Sequence, residues 1–282
     1  MQSPARVIVE GGMLGASRSA TVGNPTAVWD ADTSTIWLLL CSNHAADAEW
    51  QIHAREGKDP VGRRVWVTSS SDLGKSWARP KEITTSVKHP TWTWYATGPG
   101  LGVQLASGRL LVPCNHAEDV AEHQCPYLPT RGRSRMVAHC IYSDDHGKTW
   151  QLGGTAARHT NETTLAALPG GKIVLNSRDW SGRFQRQIQY STDEGKTWGA
   201  PRHDPTLIEP EPQGCQGSML AAPPVPGVCD NGVLFFCNPS SDRREMLTVR
   251  RSVDAGHTWS GGEDWRTGRL EELCSVLSAL SP

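Results

Sequence analysis

The sequence predicts an all-β fold, a propeller of small radial sheets, because one turn-forming octapeptide recurs four times with strand-like segments between its copies. The pattern S-x-D-x-G-x-[ST]-W occupies residues 70–77, 143–150, 191–198 and 252–259. The intervals between the closing Trp residues are 73, 48 and 61 residues, which suit one four-stranded blade each, with loops of varying length. No long amphipathic helical pattern interrupts these segments, so an all-β chain is expected.

Each octapeptide is interpreted as a tight turn. Its Asp carboxylate can accept hydrogen bonds from backbone and hydroxyl groups within the loop, its Gly adopts a left-handed conformation, and its Trp packs between sheets. The aspartates at this position are Asp72, Asp145, Asp193 and Asp254. Since they recur with the turn, they are expected to be structural and not catalytic carboxylates.

Segments rich in β-branched and large apolar residues predict the strands of the blades. They are residues 35–40, 64–68, 109–113, 136–142, 172–176 and 233–236, several of them preceded by turn signals that contain Gly. Residues 115–135, which are polar, are predicted to form a surface loop, and the Pro-rich residues 201–226 an irregular segment. The repeat resumes after each stretch, so residues 1–282 are expected to form a single domain.

The charge and hydropathy of the chain exclude two classes of partner. With a formal net charge of -1 over 282 residues, the chain has no basic field that would attract nucleic acid. Its apolar runs, residues 35–40 and 232–237, are too short to span a bilayer, so no transmembrane segment is expected. The residues that follow Met1 lack the apolar core of a signal peptide.

The eight cysteines show neither a C-x-x-C pair nor the spacing of zinc ligands. Several lie in strand-like segments, where a thiol packs as a small apolar side chain. We therefore expect reduced, buried thiols, which favour an intracellular or protected compartment such as the cytoplasm or the lysosome. The spacing alone leaves disulfides open as the alternative.

Four further segments, residues 23–30, 91–100, 175–179 and 209–218, accompany the repeats. Together with the octapeptides, these segments resemble the exo-α-sialidase family over nearly the whole chain. The octapeptides match the Asp boxes of that family. The resemblance implies a sialidase-type six-bladed β-propeller, incomplete here with about four to five blades. It also implies hydrolysis of terminal sialic acids with retention of configuration, no cofactor, and sialylated glycans, glycoproteins or gangliosides as partners.

The resemblance assigns roles to individual residues. Sialidases use a Tyr nucleophile, because sialic acid carries a carboxylate on its anomeric carbon that would repel a second carboxylate. A Glu takes the phenol proton, Arg residues bind the substrate carboxylate through planar guanidinium groups, and an Asp protonates the leaving group. The matching positions are Glu162 for the base, and Arg178 and Arg250 for carboxylate binding. The structural alternatives are a solvated loop carboxylate for Glu162 and a surface ion pair with Asp179 or Glu162 for Arg178. Arg251 alternates to the opposite face of the strand that carries Arg250.

Trp92, Trp94 and Tyr95 lie in a segment that resembles a loop beside the sialidase pocket. An apolar wall for the substrate is one interpretation of these three aromatic residues. Filling of the hydrophobic core is the other, and the sequence favours neither.

The chain departs from the sialidase pattern at both ends. It has neither the Phe/Tyr-Arg-Ile-Pro motif of the first blade nor the following region with the acid Asp. Cys274 stands where the resemblance places the nucleophilic Tyr, and its side chain is too short to reach the position of the phenol oxygen. The first blade and the end of the last are expected to be missing, with little or no hydrolase activity in the chain as written. The alternative function is a catalytically inactive propeller that binds sialoglycans or proteins.

Two local patterns are interpreted as accidental. His116, Glu118, Asp119 and His123 lie close in sequence but lack ligand spacing, so no metal site is predicted. The tripeptide that begins at Asn161 is formally a glycosylation sequon, but a glycan there would block the pocket expected at the next residue.

Overall fold

The computed structural model describes residues 5–14, 20–119, 134–224, 232–260 and 263–264, which form four β-sheets in the manner of propeller blades. Blade 1 comprises β1 (Gly23–Asp30), β2 (Thr35–Ser42), β3 (Arg64–Ser70), β4 (Lys81–Glu82) and β6 (Gly100–Leu101). Blade 2 comprises β5 (Trp92–Thr97), β7 (Val103–Gln104), β8 (Leu110–Asp119), β9 (Ser134–Ser143) and β10 (Gln151–Arg158). Blade 3 comprises β11 (Thr160–Ala167), β12 (Ile173–Asp179), β13 (Gln185–Ser191) and β14 (Arg202–Ile208). Blade 4 comprises β15 (Ser218–Ala222), β16 (Val233–Pro239), β17 (Leu247–Ser252) and β18 (Glu263–Asp264).

This architecture confirms the predicted all-β, incomplete propeller. In each blade one octapeptide joins two neighbouring antiparallel strands near the outer edge of the sheet. The helices are short, namely α1 (Glu49–His53), α2 (Thr84–Val87) and the 3-10 turns Gly11–Met13 and Pro169–Gly171. Within the described ranges, no helix has the length and apolar character needed to cross a bilayer.

The first strands of the four blades lie beside one another around a common axis. β1 contacts β5 and β7, and β11 contacts β6, β7 and β15. Within blade 1, β1 and β6 pair in parallel, with Thr26 opposite Gly100. A groove lined by Trp29, Gln104, Ala167 and Ala221 lies where the inner strands end. We call the opposite end, where β1, β11 and β15 begin, the upper end.

Hydrophobic clusters fill the interfaces between successive blades. Leu39 of blade 1 packs with Leu110, Ile141 and Trp150 of blade 2, and equivalent clusters join blades 2 to 3 and 3 to 4. Trp150, which closes the second octapeptide, is only 2% exposed and meets Trp37 edge-on at 6.4 Å between ring centroids. The repeated Trp therefore contributes a large aromatic surface to the packing between blades.

The second octapeptide shows how the turn is held. The Asp145 carboxylate accepts hydrogen bonds from the backbone N–H of Thr149 at 2.9 Å and from its hydroxyl at 2.7 Å, while Ser143 donates its hydroxyl at 2.8 Å. Gly147 adopts a left-handed conformation with φ of 80°, and a Cβ at this position would lie 2.1 Å from Trp37. Only Gly satisfies both the dihedral angle and the close approach.

The same hydrogen bonds recur around Asp72, Asp193 and Asp254. In the third octapeptide they perturb the titration of the carboxyl group. The pKa of the Asp193 carboxyl group is lowered to about 2, and the hydrogen bond from the Thr197 hydroxyl is the largest cause. These carboxylates are thus bound within their own turns.

The prediction of a surface loop over residues 115–135 is wrong at both ends of that stretch. β8 continues to Asp119 and β9 begins at Ser134, with His116 paired opposite Val137. Asn115 and His116 are fully buried, because β8 is covered by neighbouring blades on both faces. Polar residues in a buried strand resemble a loop in sequence. Residues 120–133, including His123 and Cys125, lie outside the described part.

The Pro-rich stretch 201–226 was also predicted to be irregular, but it contains β14 and β15. β14 is the outermost strand of blade 3. Pro205 is therefore tolerated within it, because a missing N–H is least costly on a strand at the edge of a sheet. Residues 209–217, between these two strands, are irregular, and residues 225–226 lie outside the described part.

Five cysteines fall in the described part of the chain, and all five are free thiols. Cys41, Cys114 and Cys140 are buried, whereas Cys215 and Cys237 are partly exposed. Burial raises the pKa of the Cys140 thiol well above its usual range, as expected for a thiol that packs as an apolar side chain. Cys229 and Cys274 lie outside the described residues.

Candidate functional site

The structure brings Glu162 and Arg178 together at the upper end of blade 3. Glu162 follows the start of β11 and Arg178 precedes the end of β12, and the two strands pair antiparallel with Thr163 opposite Ser177. Nη1 of Arg178 donates to Oε2 of Glu162 at 2.7 Å. The side chain of Arg178 is 10% exposed and that of Glu162 is 21% exposed, so the ion pair is largely enclosed but still reaches solvent.

Arg178 is held by two further contacts. Its Nε donates to the carbonyl oxygen of Gln213 at 2.7 Å, and its guanidinium carbon lies 5.8 Å from the centroid of a Trp180 ring. These contacts fix the plane of the guanidinium group. A fixed guanidinium plane suits a planar carboxylate ligand, and the adjacent Glu162 oxygens suit acceptance of a proton.

Arg250 has separate partners. It lies on β17 opposite Phe236, and its Nη2 and Nη1 donate to the Ser240 hydroxyl at 2.8 Å and the Ser260 carbonyl at 3.2 Å. Burial lowers the pKa of Arg250, and Asp204 of blade 3 opposes that change. Its participation in carboxylate binding stays a prediction.

Arg244, which the sequence reasoning did not select, approaches the turn that holds Arg178. Its side chain precedes β17 and is exposed. Its Nη2 lies 3.5 Å from the carbonyl oxygen of Gly214, the residue after Gln213. Arg178 and Arg244 thus contact consecutive peptide groups. The available sequence signal was the pair Arg243-Arg244 immediately before a strand, which strand alternation alone does not distinguish from Arg250.

Blade 1 contributes a second group of polar side chains, Arg63, His53 and Glu49. Arg63 is 4% exposed, donates from Nη1 to Asn24 at 2.9 Å, and lies 4.2 Å from the ring centroid of Trp94. His53 stacks on Trp94 at 5.4 Å and its Nε2 lies 3.5 Å from the Glu49 carboxylate. The hydrogen bond with His53 is the largest cause of a lowered pKa of Glu49, and Arg63 and Arg178 lower it further. Glu49 therefore lies within electrostatic reach of Arg178, although the sequence reasoning missed this group.

The structure places the three aromatic candidates in different surroundings. Trp94 is half-buried and contacts Arg63 and His53, two members of the polar group just described. Tyr95 is fully buried in the core between blades 1 and 2, with its hydroxyl 3.1 Å from Nε2 of His139. Trp92 is half-buried and stacks on His116 at 3.4 Å between centroids. The core interpretation thus applies to Tyr95.

Asn161 forms a buried contact between blades. It is 6% exposed, and its Oδ1 accepts a hydrogen bond from Nδ2 of Asn115 at 2.9 Å. A buried and bonded amide is inaccessible to glycosylation, in agreement with an accidental sequon.

One group of side chains in the described residues has the geometry of a cation site. Single ligand atoms of Asp30, Asp32 and His146 lie within 4.8 Å of one another. The Asp30 carboxylate is, however, already engaged by Thr33 at 2.6 Å and by Gln104 at 2.9 Å. We interpret this group as a polar link between β1 and the second octapeptide. In the group that contains His116, Nδ1 of His116 lies 3.0 Å from Nδ1 of His139, and His123 lies outside the described residues.

Comparisons with known proteins agree with this fold. Residues 3–271 match the family described as BNR repeat-like domain. A sialidase of Bacteroides fragilis is 29% identical over 243 residues, covering 85% of this chain and 42% of that protein. Human sialidase-4 is 33% identical over 210 residues, covering 71% of this chain and 41% of that protein. The solved structure of a Hadza microbial sialidase gives a TM-score of 0.77 at 28% identity, covering 91% of this chain and 48% of that one.

The chain therefore spans less than half the length of these relatives. The range that matches the family, residues 3–271, contains all four octapeptides and both Glu162 and Arg178. The chain belongs to the exo-α-sialidase family of BNR-repeat propellers.

Proposed function

We propose that the protein cleaves terminal sialic acids from glycoconjugates, and that this chain supplies the base and part of the carboxylate-binding set. The observation that carries the proposal is the ion pair between Glu162 and Arg178 at the upper end of blade 3, which stays partly open to solvent. Its two members are the residue types that the sialidase resemblance requires at these positions. The proposed substrates are sialylated glycans, glycoproteins or gangliosides.

In this proposal Glu162 accepts the proton of a phenol nucleophile, and the reaction proceeds with retention. The glycosidic bond breaks as the phenol oxygen attacks the anomeric carbon, and Glu162 holds the proton that the phenol releases. The leaving oxygen takes a proton from a separate acid. The positions of the nucleophile and the acid are not assigned to described residues of this chain.

Arg178 binds the substrate carboxylate, and the geometry favours Arg244 as a second guanidinium. Both contact neighbouring carbonyl groups, so their charged ends converge on one turn. Two guanidinium groups on one carboxylate offer more hydrogen bonds than the single positive point of a Lys. Arg250, the position proposed from sequence, is the competing candidate for the same role.

The second candidate function is sialoglycan binding without turnover. It is favoured by Cys274, which occupies the position that the resemblance gives to the nucleophilic Tyr. Glu162 and Arg178 would then contribute to recognition alone.

A fluorogenic sialoside and free N-acetylneuraminic acid distinguish the two functions. Turnover by this chain that disappears in Glu162→Gln supports the enzyme, whereas binding by calorimetry without turnover supports the binding module. Glu82→Gln is the matched control, because Glu82 also pairs with an arginine, Arg64, at 3.0 Å but lies in the outer strand of blade 1. Absence of both turnover and binding would contradict both functions.

A further inference from the structure

Three consecutive carbonyl groups in the turn between β14 and β15 each accept a hydrogen bond from a different arginine. The Gln213 carbonyl accepts from Arg178 at 2.7 Å, and the Gly214 carbonyl accepts from Arg244 at 3.5 Å. The Cys215 carbonyl accepts from Nη1 of Arg186 at 2.8 Å. One short segment thus contacts three arginines, namely Arg178, Arg244 and Arg186. We call residues 209–216 the carbonyl turn.

The carbonyl turn is anchored by a buried ion pair between Glu209 and Arg186. Both side chains are 0% exposed, and Nη1 of Arg186 donates to Oε1 of Glu209 at 2.7 Å. Oε2 of Glu209 accepts from the backbone N–H of Asp179 at 2.7 Å, and Oε1 accepts from that of Cys215 at 3.4 Å. Arg186 also donates to the side-chain and backbone oxygens of Asn176 at 2.6 and 2.8 Å. Both ends of the turn are thereby tied to β12 and β13.

The shape of the turn follows the carboxylate closely. Gly214 has a left-handed φ of 69°, and a Cβ there would lie 2.8 Å from Oε2 of Glu209. Its N–H donates to the Pro210 carbonyl at 2.7 Å, which closes the turn on itself. A side chain at position 214 would therefore displace the peptide groups that contact Arg178 and Arg244.

The pair contributes geometry more than net stability. A buried ion pair loses hydration on folding, and its attraction often does no more than offset that loss. Burial raises the pKa of Glu209, and Arg186 opposes the change. Hydrogen bonds to five separate groups nevertheless determine where the turn lies relative to β12, which carries Arg178.

We propose that Glu209 and Arg186 are positioning residues, which hold the carbonyl turn so that Arg178 and Arg244 present their guanidinium groups to a carboxylated sugar. The ligand half of this inference rests on the proposed function. The structural half does not, because the orientation of Arg178 can be measured without any ligand. Neither Glu209 nor Arg186 would contact the sugar, since both side chains are fully buried.

Glu209→Gln tests the inference with little change of shape. The Asp179 N–H and Arg186 donate to different oxygens of Glu209, and a Gln replaces one of these oxygens by an NH2 group, so one of the two donors then faces another donor. The readout is the Nε–H signal of Arg178 in protein labelled with 15N-arginine, assigned through Arg178→Lys. We expect its exchange with water to accelerate about tenfold, as for the loss of one charge-assisted hydrogen bond. An unchanged exchange rate in Glu209→Gln would overturn the inference.

Asp144→Asn is the matched control. It breaks the bidentate pair between Arg109 and Asp144, the second residue of the second octapeptide, whose bonds are 2.7 and 2.8 Å. The control should leave the Arg178 signal unchanged, and equal acceleration in both variants would overturn the inference. Arg186→Lys provides a second variant if Glu209→Gln does not fold, because it keeps a cation for Glu209 while losing the fork that spans Asn176 and Cys215.

Titration with N-acetylneuraminic acid then tests the ligand half. We expect the dissociation constant to rise about tenfold in Glu209→Gln and to stay unchanged in Asp144→Asn. A faster Arg178 signal in a protein whose wild type binds no sialic acid would support the positioning role and count against the proposed function. Unaltered affinity in Glu209→Gln, with a binding wild type, would overturn the positioning role.

Discussion

Asn115 of blade 2 donates its side-chain amide to Asn161 of blade 3 at 2.9 Å, and both residues are buried. This contact fixes the backbone immediately before Glu162 from a neighbouring sheet. The site therefore depends on how two blades meet and not only on the hairpin that carries it.

Asn115→Ala should destabilise the fold, because it leaves the buried Oδ1 of Asn161 without its donor. An unsatisfied buried polar group costs about 1–3 kcal/mol, which chemical unfolding monitored by Trp fluorescence would detect. Asn43→Ala, at a partly exposed asparagine of blade 1, controls for general loss of an amide. Equal stability of Asn115→Ala and wild type would show that the contact between the blades contributes nothing.

Arg178→Lys should weaken the binding of N-acetylneuraminic acid about tenfold, because Lys cannot reproduce the planar fork of donors. The same substitution at Arg244 and Arg250 decides which of the two is the second carboxylate ligand. The geometry predicts a comparable loss of affinity for Arg244→Lys and a smaller one for Arg250→Lys, measured by calorimetry. The reverse order would restore the assignment made from sequence.

Stability should fall on mild acidification because of His139. Burial, aided by His116, lowers the pKa of His139 well below its ordinary value. The unfolded chain therefore takes up a proton near pH 6.5 that the folded chain does not, and the free energy of unfolding decreases as the pH falls below that value. Urea unfolding at about pH 7.5 and pH 5 measures the slope.

His139→Gln should reduce this slope, since Gln can hydrogen bond to Tyr95 or His116 but does not titrate. His89→Gln, at an exposed histidine, is the control and should leave the pH dependence of the free energy of unfolding unchanged. A slope unchanged by His139→Gln would mean that the buried histidine does not cause the acid sensitivity.

Two glycines of the repeated turn form a matched pair. Gly147 and Gly74 have φ of 80° and 82°, but a Cβ would lie 2.1 Å from Trp37 in the first case and no closer than 3.9 Å to Trp77 in the second. Gly74→Ala should cost about 1 kcal/mol from the left-handed conformation alone. Gly147→Ala should cost about 1–3 kcal/mol more because of the overlap with Trp37. Thermal unfolding compares them, and equal costs would contradict the role of the close contact.

Local patterns predicted the parts of this molecule that depend on local chemistry. The repeated turns and most strands follow from Gly, Asp and β-branched residues in series. Glu162 and Arg178 were selected from the resemblance to sialidases, and their proximity follows from the pairing of the two strands that carry them. Asn115 was misassigned because a polar residue in a strand covered on both faces has the sequence signature of a loop. Arg244 was missed because its position depends on the path of the carbonyl turn, which carries no periodic signal.

The contacts made by residues 213–215 through their main-chain oxygens bear on how this region can be redesigned. Since peptide carbonyls, not side chains, meet the arginines, libraries randomised at Gln213 and Cys215 should retain the spacing of the cationic groups. Among residues 213–215, only Gly214 must be kept unchanged. A thiol-free variant for labelling work can accordingly begin with Cys215→Ser.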